Sequence, residues 1–192
     1  MDILATLAEN YQWKLSLLAA LGIIVGSIVV GKLASLVPTI GEAVKLNQDT
    51  LAKRMEKPSY AANQKWNRKW AILFQFIIFL GILPFCIAPG LPSIGQLLID
   101  IVVILMVYDF FYYLTHRSLF HDSPFFGGPL KWRPATPHRQ HNPCRADSSY
   151  IHPLEVAIGL GLYVAVIAGL SVFMGRFDVI TVIITFIAFS QI

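Results

Sequence analysis

Charge is scarce in this chain of 192 residues: only 14% are Asp, Glu, Lys or Arg, against 56% apolar. That balance excludes an ordinary soluble domain with a greasy core, and a mean hydropathy of +0.63 points to a membrane protein. Cysteine is scarce too. Cys86 lies in an apolar run and Cys144 in a polar one; two cysteines build no disulfide framework, and both read as structural or incidental. No internal repeat and no low-complexity segment is present. The first apolar run has no basic region before it and no small-residue cleavage site, so it reads as a span and not as a secretory signal. The net charge of +4 comes mostly from two loops. It therefore speaks for orientation in a membrane, and nucleic acid is excluded as a partner.

What is present is a series of apolar runs. Trp13–Val37 is a first span, with Gly22, Gly26 and Gly31 either letting a neighbouring helix approach or merely tolerated in lipid. Residues 38–69 form a polar, partly helical connection. Trp70–Ala88 is a second span interrupted by Pro84, and Pro-Gly-Leu-Pro at 89–92 is a tight turn. Ser93–Thr115 is a third span running straight into His116. Pro153–Met174 is a fourth, and after the turn Gly175-Arg-Phe-Asp178 the run Val179–Ile192 is apolar to its end. The expected fold class is all-α: one integral membrane helical bundle over 1–192, with four full spans and a truncated fifth. Fourteen helical residues reach only about 21 Å. A bilayer core is about 30 Å thick, so the chain reads as a partial product.

Basic residues set the orientation. Lys45, Lys53, Arg54, Lys57, Lys65, Arg68 and Lys69 lie in one connection; Arg117, Lys131, Arg133, Arg139 and Arg145 lie in the other. The positive-inside rule puts both on the cytoplasmic side. Arg117, Arg139 and Arg145 either hold phospholipid headgroups or simply follow that rule.

The second basic connection also gathers histidine. Its first cluster is Asp109-Phe-Phe-Tyr-Tyr-Leu-Thr-His116-Arg-Ser-Leu-Phe-His121; its second is His138-Arg-Gln-His141-Asn142; His152 follows. Imidazole is the commonest protein ligand for iron and zinc. His138 and His141, three apart, share a helical face, and Asn142 joins it. His116 and His121, five apart, do not share one on an ideal helix, so the helix breaks or bulges between them or they serve different metals. Asp109 sits two turns before His116, about 10 Å away along the axis. It either supports the site through Tyr112 or Tyr113 or is a hydrogen-bonded group in helix packing. Tyr108, Tyr112 and Tyr113 equally fit an aromatic belt. Asp100, sixteen residues before His116, belongs to a polar interior or the far interface.

The series Asp109-x3-Tyr113-x2-His116-Arg117-x3-His121, then His138-x2-His141, then His152-Pro-Leu-Glu155 resembles the fatty acid hydroxylase superfamily. This is the sterol desaturase, C4-sterol methyl oxidase and carotene hydroxylase group of membrane di-iron oxygenases. The matching segment covers about residues 100–160, and a family-like core is expected over about 100–192. The resemblance implies a His-ligated di-iron centre that uses molecular oxygen to hydroxylate or desaturate lipid C–H bonds. Electrons would come from a cytochrome b5-like, ferredoxin-like or reductase partner. His116, His121, His138 and His141 match the metal boxes; Asn142 and His152 are further ligand candidates. The pattern departs twice: Asn142 stands where the second box ends in His, and no third box follows, so the chain as given is expected to be the N-terminal part of such an enzyme and inactive by itself. The alternative is a non-catalytic lipid-binding or regulatory membrane protein with at most a mononuclear metal site.

Overall fold

A computed structural model of the chain describes residues 9–120 and 153–191. Of these, 88% are helical and no strand occurs. The elements are α1 (Trp13–Ser35), α2 (Pro38–Met55), α3 (Pro58–Phe76), a π-helical turn (Ile77–Ile82), α4 (Leu83–Cys86), α5 (Ile94–Thr115), a second π turn (His116–Phe120), α6 (Pro153–Met174) and α7 (Val179–Gln191). Four stretches are long and apolar enough to cross a membrane: Trp13–Ser35, Pro58–Cys86, Ile94–Leu119 and Ala157–Met174. The fifth apolar helix is shorter. The all-α membrane bundle therefore holds.

One expected boundary moves. The second span does not start at Trp70; its helix begins at Pro58, and the connection before it is helical over Pro38–Met55. Prolines mark both starts. Pro38 follows Val37, which is extended at φ −75°, ψ 120°. Proline's fixed φ and missing N–H suit a first helical turn and forbid a later one, so each proline ends one helix and opens the next. The helical part expected of this polar connection is more extensive than its weak apolar pattern marks.

The described contacts divide into two units. The first holds described residues of Met1–Val30, Gln75–Phe110 and Gly161–Ile192. Within lipid there is no hydrophobic drive between helices, so close packing and internal hydrogen bonds must hold them. The short helix α7 is where they converge. Gly22 and Gly26 of α1 lie against Ile183 and Ile187; a Cβ on Gly26 would stand 2.6 Å from Ile187 Cδ1. A Cβ on Gly31 would meet nothing within 4 Å among the described residues. Tyr163 of α6, 1% exposed, stacks on Phe189 at 5.0 Å and meets Phe186 edge-on at 5.3 Å. Its hydroxyl shares a 2.8 Å hydrogen bond with Thr185 Oγ1, which also donates to Thr181 O. Tyr108 of α5 packs edge-on to Phe189 at 5.0 Å, and Phe79 lies 6.0 Å from Phe186. Tyr108 is 4% exposed, so it is a core residue and no part of an aromatic belt.

Pro84 accounts for the first π turn. Proline has no N–H, so Leu80 O loses its α-helical donor. The Leu83 N–H goes instead to Ile78 O, five residues back, which strips Phe79 O as well. Both carbonyls find donors across the unit: Tyr11 O–H on Leu80 O and Ser16 O–H on Phe79 O, each at 2.5 Å. Gln12 N–H adds a 3.0 Å bond to Pro84 O. An apolar span tolerates such a break only when the freed groups are satisfied internally.

Beyond this break the two short turns meet. Ala88 N–H donates to Phe177 O at 2.8 Å, and Phe177 N–H to Cys86 O at 2.9 Å. Gly90 and Gly175 take positive φ there, at 132° and 88°. Asp178 then caps α7, accepting from Thr181 N–H at 2.9 Å and from the Thr181 hydroxyl at 2.6 Å. Cys86 is a buried free thiol near Ile82 O, a structural position.

The second unit holds described residues of Gly31–Phe74 and Phe111–Leu160. Helix α2 buries no side chain. Asn47 Nδ2 and Thr50 Oγ1 bond back to the carbonyls of Ala43 and Leu46, one turn earlier. Within α3, Asn67 Nδ2 donates to Asn63 Oδ1 at 2.9 Å.

Candidate functional site

Helix α5 carries the candidate chemistry to its end. Ser93 caps its start, accepting from Gln96 N–H at 3.2 Å. The helix then runs unbroken to Thr115 and changes register at His116. The π turn His116–Phe120 is the bulge that one reading of the five-residue His116–His121 spacing required. In a π register the hydrogen bonds run i to i+5, so positions five apart stack as positions four apart do in an α-helix. The next proline in the sequence is Pro124, four residues past the turn's last residue, where Pro84 stands two past the first turn. Single π turns inside helices are frequent at functional sites.

His116 is half-buried, and its imidazole stacks on the Tyr112 ring with centroids 5.7 Å apart and planes 25° from parallel. The ring therefore has a fixed plane. Tyr113 turns elsewhere: its hydroxyl accepts from Arg117 Nη1 at 2.7 Å, and the guanidinium lies 5.8 Å over its ring. Tyr112 thus stands beside the candidate ligand, whereas Tyr113 holds the neighbouring arginine. Asp109, two turns before His116, is exposed.

His121, His138, His141, Asn142 and His152 lie outside the described residues. Among the described residues no group of three or more His, Cys, Asp or Glu side chains converges as a metal site would require. The donor set nevertheless suits iron in kind: His116 offers a ring nitrogen on an oriented, partly sheltered imidazole, and neutral imidazoles are ligands for that metal.

Two polar arrangements escaped the sequence reading. One is the Tyr11/Ser16 pair on the Pro84 break, whose signal is the proline itself: a proline inside a span demands donors from elsewhere. The other is a cleft of about 290 Å³ where the turns meet, lined by Pro89, Leu91, Gln96, Asp100, Arg176 and Asp178 among others. Asp100 is 5% exposed and accepts from Gln96 Nε2 at 2.7 Å. It is buried and lines this cleft, a position compatible with both places expected of it, a polar interior or the far interface.

No protein-family model, curated protein or solved structure matches this chain.

Proposed function

We propose that this is an integral membrane, oxygen-dependent lipid oxidoreductase of the hydroxylase or desaturase kind, with iron held by histidine at the membrane surface. The observation that carries the reading is a membrane-length apolar helix that changes to a π register at a histidine, with four more histidines following in the sequence. His116, His121, His138 and His141 would hold metal, with Asn142 and His152 as further candidates. Iron so bound would supply the oxidising power needed to attack an unactivated C–H bond. In a hydroxylation one oxygen atom of O2 enters the product and the other leaves as water, with two electrons and two protons drawn from a redox partner. The cytochrome b5-like, ferredoxin-like or reductase donor fits a site on the cytoplasmic side, which the basic residues of 38–69 and 117–145 favour.

The chain's own residues have definable parts. Tyr112 stacks on the His116 ring and restrains its plane. The Arg117–Tyr113 pair places a positive charge one residue from that ligand, suited to a lipid carboxylate or phosphate. Exposed apolar side chains of α5, among them Met106, Phe110 and Phe111, give an acyl chain a surface of its own kind. Asn142 in place of a box histidine favours a second reading, a mononuclear site in a lipid-binding or regulatory protein.

The test is product analysis. Purified protein in nanodiscs, given iron, a chemical reductant and 18O2, should incorporate label into lipid or produce new double bonds. His138→Ala and His141→Ala should stop it. Iron binding without any oxidised lipid, under a range of acyl and sterol substrates, would favour the non-catalytic reading.

A further inference from the structure

The cleft between the turns 88–92 and 175–178 has charges that the fold does not use up. Asp100 lies six residues into α5, about 9 Å along its axis, and an acid at that depth in an apolar helix is costly without a partner. One carboxylate oxygen takes the Gln96 amide N–H; the other, Oδ2, meets no donor among the described residues. Gln96 gives its nitrogen to Asp100, which leaves its amide oxygen as a second acceptor. Asp178 also lines the cleft, and each of its oxygens already accepts one bond from Thr181. Arg176 makes one long hydrogen bond among the described residues, Nη1 to Asn10 O at 3.5 Å, so most of its guanidinium is available.

The cleft thus offers two acceptors on a buried carboxylate and its amide, and a cation on the opposite turn. Leu91 in its wall is 85% exposed, and Ile94, Val172 and Phe173, close in sequence to the wall residues Pro92 and Met174, are 79%, 78% and 87% exposed. Such side chains at the end of spanning helices call for lipid. We propose that this cleft binds the phosphoethanolamine headgroup of a membrane lipid, its ammonium on Asp100 and Gln96 and its phosphate on Arg176. A primary ammonium donates hydrogen bonds to both acceptors, and a guanidinium takes phosphate oxygens in pairs. A choline headgroup keeps the charge but has no N–H to donate. Discrimination between the two should therefore rest on Asp100. This site is independent of the histidines.

The experiment is competitive lipid retention. Full-length protein is placed in nanodiscs with equal amounts of phosphatidylethanolamine and phosphatidylcholine of identical chains. It is then extracted gently, and the bound lipids are counted by native mass spectrometry. The wild type should retain phosphatidylethanolamine in about tenfold preference, the factor that corresponds to 1.4 kcal/mol. Asp100→Asn should erase the preference, and Arg176→Gln should lower retention of both lipids. Should Asp100→Asn not fold, Gln96→Leu at an exposed position carries the same test and should weaken the preference. Free phosphoethanolamine added in excess reports the source: if it leaves retention unchanged, the site needs the intact lipid; if it displaces the lipid, the headgroup alone suffices. Equal retention of the two lipids by the wild type, or a preference untouched in both variants, overturns the proposal.

Discussion

The two π turns look alike in register and differ in cause. At Ile77–Ile82 a proline two residues on removes an N–H, and Ser16 and Tyr11 take up the stranded carbonyls. That turn is explained by the rest of its own unit. At His116–Phe120 no proline stands within two residues of the turn's end, and the residue at its start is a histidine stacked on Tyr112. The first is a break repaired by packing. The second changes the angular spacing of the residues around it, which is what a pair of ligands five apart would need. The difference teaches that helix irregularity has to be traced to its acceptors and donors before it is read as function.

The comparison can be sharpened by substitution. The largest effect is expected at the second turn: His116→Ala should lower lipid oxidation at least about 100-fold, the upper range for disturbing a metal's surroundings. Helix content by circular dichroism should be unchanged. At the first turn the effect is on stability. Ser16→Ala leaves Phe79 O without its donor in a buried place and should cost about 1–3 kcal/mol, read from unfolding in a denaturing detergent series. Pro84→Ala restores an N–H at 84 and lets Leu83 N–H return to Phe79 O, so in that background Ser16→Ala should cost less. A coupling of about 1 kcal/mol in the double-mutant cycle is expected; no coupling would mean that Pro84 does not cause this turn. Smaller still is Tyr113→Phe. It removes one exposed hydrogen bond to Arg117 and should change stability by no more than about 0.5 kcal/mol.

Much of the fold was legible, because apolar runs of spanning length need no further context. The four spans and the shorter fifth helix followed from composition, and Gly22 and Gly26 marked a close helix approach that α7 fills. The helices across 38–69 were less legible, since polar helices show no apolar run and only their prolines mark them. Tyr108 stayed open because a tyrosine near a span end suits a membrane interface and a buried ring cluster equally. The Phe79 and Leu80 carbonyls, and their donors Ser16 and Tyr11, were not legible at all: 63 and 69 residues separate the partners. Within the candidate site, sequence spacing raised the possibility of a bulge after His116, and a π turn stands there. The stacking of Tyr112, as against Tyr113, needed the geometry.

If histidine-bound iron gives this protein its activity, the turn beginning at His116 belongs to the iron site. Iron content measures this directly. Protein produced with iron, purified in lipid nanodiscs and analysed by inductively coupled plasma mass spectrometry should carry iron near stoichiometric with the chain. His116→Ala should lose most of it while Ser16→Ala keeps it. Wild-type protein without iron after such loading, or His116→Ala with as much iron as the wild type, would contradict the claim.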